Sequence, residues 1–145
     1  MRYVFVQNFQ INEDQKSLVG SLQVLKEWEV FRDHFPGFPI LPGALILEAM
    51  AQHTVVLMLQ KKPALEEVVP TLVQIERAKF VEPVIPDCLL TIQVLEEAVM
   101  YPNFKYSCEA LLGGRPVASA RLTMSFRKMP AGAGLDFLKF FLGGN

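Results

Sequence analysis

The sequence predicts an α+β fold in which one long central helix is wrapped by a curved, mostly antiparallel sheet of five to six strands. Three observations carry this. Ala118, Ala120, Leu122, Met124 and Phe126 interleave with Ser119, Arg121, Thr123, Ser125 and Arg127, the period of two expected of a half-buried strand. Only one long helical stretch occurs, from Gly43 to about Gln60. Twelve of the sixteen residues from Ala44 to Leu59 are apolar and cover nearly the whole circumference, so this helix is expected to be buried.

The elements follow in order. Tyr3 to Phe9 reads as a first strand. Leu22, Val24, Trp28 and Val30 alternate with polar neighbours, broken only at Lys26, and read as a second. The helix comes next, stopped by Lys61, Lys62 and Pro63. Val68 to Phe80 and Leu89 to Leu95 supply two more strands around the Pro83 and Pro86 loop. Phe104 to Leu112 alternates as the final strand does, and Gly113-Gly114 between them can take positive φ, so a hairpin is expected from Asn103 to Arg127. A short appended helix is expected at about 131–142. Such an open sheet leaves edges, and pairing them across a two-fold axis would cover them.

Composition sets the class. The 145 residues suit one domain, 51% hydrophobic content suffices for a core, and 20% charged residues argue against disorder. A net charge of −1 disfavours binding to the phosphates of nucleic acid. The two cysteines, Cys88 and Cys108, form neither a CxxC motif nor a disulfide framework, and no metal or cofactor is expected. The N-terminus has no secretory pattern and the apolar helix carries Glu48, Gln52, His53 and Thr54, so a cytoplasmic chain without a membrane segment is expected.

Chemistry concentrates in residues 31 to 52. From His34 to Gln60 the only formal charge is Glu48. An isolated carboxylate among apolar residues is costly, and burial should raise its pKa into the range of a proton donor near neutral pH. Gln52 lies one turn on and can orient it by a hydrogen bond; a lone acid satisfied by Gln52 would be the plainer reading. Pro36, Pro39 and Pro42 stiffen the approach to the helix, while Gly37 and Gly43 allow close backbone contact. His34 begins that strap, and taken alone it and Asp33 would be ordinary loop residues. Gly43 stands at the helix N-terminus, where free N–H groups can hold negative charge on a carbonyl oxygen. A base, an acid and an oxyanion donor thus fall within fifteen residues of one another.

The run His34-Phe-Pro-Gly-Phe-Pro-Ile-Leu-Pro-Gly43-Ala-Leu-Ile-Leu-Glu48-Ala-Met-Ala-Gln52 resembles the active-site segment of the 3-hydroxyacyl-acyl-carrier-protein dehydratases of type II fatty acid synthesis, which have the hot-dog fold. The likeness extends through Ala78-Lys-Phe-Val-Glu-Pro-Val-Ile-Pro86 and Val117-Ala-Ser-Ala-Arg121, covering about residues 20 to 127. Glutamate at 48 matches the branch that dehydrates without isomerising. The resemblance implies that His34 removes a C2 proton, that Glu48 protonates the departing 3-hydroxyl, and that the Gly43 N–H holds the thioester oxygen. It further implies a homodimer, or a trimer of dimers, with each site built from two subunits. An acidic acyl carrier protein would dock near Arg77, Lys79, Arg121 and Arg127, with Glu82 standing where the family usually has a basic residue. Asp33 replaces a usual glycine, and the His-Arg-Tyr-Pro-Phe-type opening of the family is reduced to Arg2-Tyr3-Val4-Phe5, which suggests a divergent member with its own substrate. The competing readings are a hot-dog thioesterase, which would use the carboxylate to activate water, and a non-catalytic acyl-binding or scaffolding subunit.

Overall fold

The computed structural model describes residues 3–61 and 68–129. Six strands form one sheet: β1 (Asn8–Ile11), β2 (Ser17–Val24), β3 (Val68–Phe80), β4 (Cys88–Met100), β5 (Asn103–Leu112) and β6 (Arg115–Lys128). A one-turn helix α1 (Val30–Asp33) and the long α2 (Gly43–Leu59) lie between β2 and β3. The strand order is β1-β2-β4-β5-β6-β3 and every pairing is antiparallel. Two edges result, the short β1 and the thirteen-residue β3.

The sheet curves around α2. Its inward row includes Leu18, Leu22, Leu90, Ile92, Tyr106 and Leu122, all at most 1% exposed. Every residue of α2 from Ala49 to Leu59 is buried, as a helix apolar on all sides requires. Its first turn is not, for Ala44 is exposed and Leu45, Leu47 and Glu48 are half-buried. None of the described helices is long and apolar enough to cross a membrane.

The hairpin, β3 and α2 fall where the sequence places them, with Gly113 and Gly114 at positive φ in the turn. Three boundaries differ. The second strand runs from Ser17 to Val24 instead of from Leu22 to Val30, because the chain turns after it: Trp28 N–H donates to Leu25 O and Phe31 N–H to Trp28 O. Trp28 is half-buried because its ring lies 5.9 Å from that of Phe5 and 6.2 Å from that of Phe31, which mimics strand alternation. The first strand begins only at Asn8, and residues 3–7 before it form an unpaired strap over α2. β4 continues to Met100 through a bulge between Glu96 and Ala98 that breaks its period. The helix expected at 131–142 lies outside the described residues.

Candidate active site

His34 ends α1 and opens a loop closed on itself. Its ring Nδ1 lies 2.8 Å from Ile40 O, and Ile40 N–H donates to His34 O at 3.0 Å. Inside, Phe35 and Phe38 exchange backbone hydrogen bonds around Gly37, whose φ of 77° suits a residue without Cβ. A carbonyl can only accept, so Nδ1 carries the hydrogen and Nε2 of the neutral ring presents a lone pair. The loop and ring stacking on Phe35, with centroids 4.1 Å apart, hold the imidazole in place.

The strap then runs to the helix. Leu41 N–H donates to Val84 O, which ties it to the loop between β3 and β4. Pro42 is the N-cap of α2 and offers no side-chain cap; its carbonyl accepts from the N–H groups of Leu45 and Ile46, so those of Gly43 and Ala44 at the start of this seventeen-residue helix are left without an intrahelical acceptor. The Phe80 ring, at the end of β3, lies over Gly43: a Cβ there would stand 2.9 Å from its nearest atom. Glycine at 43 is therefore set by this close approach, a contact across 37 residues that no local pattern announces.

One turn into α2 the Glu48 carboxylate is half-buried, less than the fully enclosed acid expected from its neighbours, because the first turn of α2 is not covered within one chain. Glu48 Oε1 accepts from Gln52 Nε2 at 3.0 Å. Gln52, 4% exposed, also donates to Tyr3 O at 2.8 Å and accepts from Phe5 N–H at 2.7 Å. Within one chain neither a hydrogen bond nor an ion pair joins His34 to Glu48.

Of the four cations expected at one surface, three come together. Arg77 stands at φ 53° where β3 shifts register against β6, and with Lys79, Arg121, Ser107 and Glu109 it lines a groove of about 250 Å³ on the outer face of the sheet. Arg121 is paired there with Glu97 at 2.5 Å, so Arg77 and Lys79 are the two without a carboxylate partner among the described residues. Arg127 lies across from Val69, six residues along β6 from Arg121, and is outside this groove. Glu82 is not an unpaired negative charge, since Arg115 Nε donates to its Oε1 at 2.6 Å.

One buried group has no counterpart in these expectations. His53, wholly enclosed, donates its Nδ1–H to Ala49 O (2.7 Å) and rests against Gly20 of β2, with Nε2 unpartnered. Burial lowers its pKa, outweighing the hydrogen bond to Ala49 O that acts the other way.

Residues 10–120 match the family model of the ApeI dehydratases. A 3-hydroxyacyl-acyl-carrier-protein dehydratase FabZ of Acidiphilium cryptum is 34% identical over 119 residues, 81% of this chain and 72% of that one. The FabZ of a Wolbachia strain of Drosophila simulans is 39% identical over 108 residues, covering 74% and 75%. In the FabZ of Wolbachia from Culex pipiens the match, 39% identical, spans 65% of either chain. Among solved structures, the dehydratase heterocomplex ApeI:P of Xenorhabdus doucetiae superposes with a TM-score of 0.69 at 16% identity, over 94% of this chain and 89% of that one. A thioesterase variant of Pseudomonas aeruginosa gives 0.60 at 18%, over 84% and 81%. The two structures establish the hot-dog architecture alone, shared by dehydratases and thioesterases; the sequence matches decide between them, and the chain belongs to the hot-dog dehydratase family of ApeI- and FabZ-type proteins.

Proposed function

We propose that the protein is a hydro-lyase that interconverts a 3-hydroxyacyl thioester and its trans-2-enoyl thioester, with His34 as base, Glu48 as acid and the Gly43 N–H as oxyanion donor. The observation that carries the roles is the Nδ1 contact of His34 with Ile40 O, which leaves Nε2 as the proton acceptor. Nε2 takes a C2 proton, and the carbon–hydrogen pair becomes the C2–C3 double bond. The C3–O bond breaks, its electrons stay on oxygen, and the Glu48 proton completes the departing water. Charge that develops on the thioester oxygen faces the uncapped N-terminus of α2, where an N–H donor and the helix dipole lower its energy. Both catalytic protons are then restored by exchange with solvent, so the reaction needs no cofactor.

The acid serving a given His34 comes from a second copy of this chain. Two features support this homodimer: neither a hydrogen bond nor an ion pair joins His34 to Glu48 within one chain, and the β3 edge exposes Val73 and Ile75 at 40% and 41%. Substrate arrives on an acyl carrier protein, whose acidic surface meets Arg77 and Lys79. These lie at the end of β3 that leads to Phe80, and Phe80 covers Gly43.

The decisive experiment is subunit mixing. His34→Ala and Glu48→Gln should each lower turnover of a 3-hydroxyacyl thioester by about 10²- to 10⁴-fold. Mixed under conditions that exchange subunits, they should regain activity, because one site of each heterodimer is whole. Loss of the enoyl chromophore without thiol release marks hydration and excludes thioester hydrolysis. Near wild-type turnover in either folded variant would overturn the roles, and proven exchange without recovery would overturn the shared site.

A further inference from the structure

The Gln52 amide is held by three groups at once, and their chemistry leaves it no choice of direction. Phe5 N–H can only donate, so it must meet the amide oxygen, at 2.7 Å. The two hydrogens of Nε2 are then spent on Tyr3 O at 2.8 Å and Glu48 Oε1 at 3.0 Å. A flipped amide would set Nε2 against the Phe5 N–H and its oxygen against Tyr3 O and the Glu48 carboxylate. At 4% exposure water cannot relieve those contacts, and each buried group would be left unmet. The strap that imposes this polarity is itself fixed: Phe5 is 1% exposed, with its ring 5.9 Å from Tyr3 on one side and 5.9 Å from Trp28 on the other.

We infer that the N-terminal strap, Tyr3 to Phe5, is a positioning element for the catalytic acid, acting through Gln52 by fixing which oxygen of Glu48 carries the transferable proton. Oε1 always faces an N–H and accepts from it. The proton therefore resides on Oε2, which becomes the atom aimed at the departing hydroxyl. Neither Tyr3 nor Phe5 touches substrate, and the effect of Phe5 travels through a backbone N–H 47 residues from Gln52. The inference rests on the reading of Glu48 as the acid.

The test separates the two. Phe5→Leu keeps the N–H and loses the ring; Phe5→Pro loses both, so their ratio isolates the N–H. Phe5→Pro should show a kcat about tenfold below that of Phe5→Leu with KM changed less than about threefold, since misdirection of a catalytic group by a fraction of an ångström acts on the bound complex. In a Gln52→Leu background the same ratio should collapse to about one, because the N–H then has no amide to orient. A Phe5→Pro to Phe5→Leu ratio that is the same in both backgrounds would overturn the inference, as would equal kcat for the two. If Phe5→Pro does not yield folded protein, replacing Phe5 by its α-hydroxy acid, which removes the N–H alone, decides in its place, and an unchanged kcat overturns the inference. Glu48→Gln run in parallel keeps the failures apart: should it retain full turnover, the reading of the acid falls, whereas an inactive Glu48→Gln beside unaffected strap variants removes this inference alone.

Discussion

Gly20→Ala is the sharpest probe of how α2 is seated in the sheet, because two opposing effects of known size predict opposite signs. Gly20 lies in the middle of β2, paired with Phe9 on one side and Ile92 on the other. Glycine inside a strand is ordinarily worth about 0.5–1 kcal/mol less than alanine, so by propensity the substitution stabilises. The new Cβ, however, would stand 2.4 Å from both Cδ2 and Nε2 of His53 and 3.1 Å from Asn8 O. Ordinary carbon contacts lie near ~3.5–4.0 Å, so the overlap with the imidazole exceeds about 1 Å. The ring cannot withdraw, being wholly buried and tied to Ala49 O. Overpacking of a rigid site costs about 1–3 kcal/mol, and loosening the Nδ1 hydrogen bond adds about 1 kcal/mol. The clash wins, and a net loss of about 1–3 kcal/mol remains. Urea unfolding at a fixed protomer concentration reads it, provided the m-value is unchanged. In a His53→Ala background the space is vacated, and Gly20→Ala should become neutral or stabilising. An equal cost in both backgrounds, or full stability of the single variant, would refute the account of how helix and sheet meet.

Further outcomes follow from the same geometry. Because burial lowers the His53 pKa below its ordinary 6.5, the folded protein binds fewer protons than the unfolded chain in acid; the stability this residue permits is complete above pH 6.5 and is lost as pH falls below it, by up to about 1.4 kcal/mol per pH unit. Melting temperatures from pH 7.5 to 5 should therefore fall less steeply in His53→Gln than in the wild type, and equal slopes would contradict this. Gly43→Ala keeps the N–H but drives a Cβ to 2.9 Å from Phe80; that ring is 49% exposed and can swing away, so turnover should fall at least about tenfold while the unfolding midpoint barely moves. At low salt, Arg77→Glu should lower kcat/KM for a carrier-borne substrate and leave a small thioester mimic unaffected; Arg115→Ala should act in the same direction, since it strips Glu82 of its counter-charge near Lys79. Equal effects on both substrates would remove the docking surface from consideration.

The parts of the fold that could be read from sequence are those set by local periodicity. β5 and β6 keep strict alternation on either side of Gly113-Gly114, and β3 and α2 are bounded by turn residues, so their limits are legible. The limits of β2 are not legible because Gly20 interrupts its apolar row, and because Trp28, in the turn before α1, and Val30, the first residue of α1, extend a false one. The same division runs through the site. His34, Gly43, Glu48 and Gln52 stand out because they lie on one strap and two helical turns. The Phe5 N–H on Gln52, the Phe80 ring on Gly43 and Arg115 on Glu82 join residues 47, 37 and 33 apart, and only the folded sheet brings them together.

The burial of Glu48 shows why one chain alone leaves its chemistry unfinished. An acid with a proton to give near neutral pH needs an environment that penalises its charge, and apolar neighbours along α2 promise one. From Ala49 onward the helix is indeed enclosed, yet the sheet stops short of the first turn, where Ala44 is exposed and Leu45, Leu47 and Glu48 are only half-buried. Val73 and Ile75 on the β3 edge are apolar and exposed as well. Apolar surface of this kind at an unpaired thirteen-residue edge is a liability unless something covers it. In the proposed dimer a second copy pairs with β3 and closes over the first turn of α2, so that water is excluded from Glu48 only where the partner's base can reach the substrate. Assembly would then close the site around the acid as well as complete the pair. A monomeric variant, made by placing lysine at Val73 and Ile75, should accordingly lose turnover even when its fold and its Gln52–Glu48 hydrogen bond are intact, and a monomer as active as the wild type would show that the edge plays no part in catalysis.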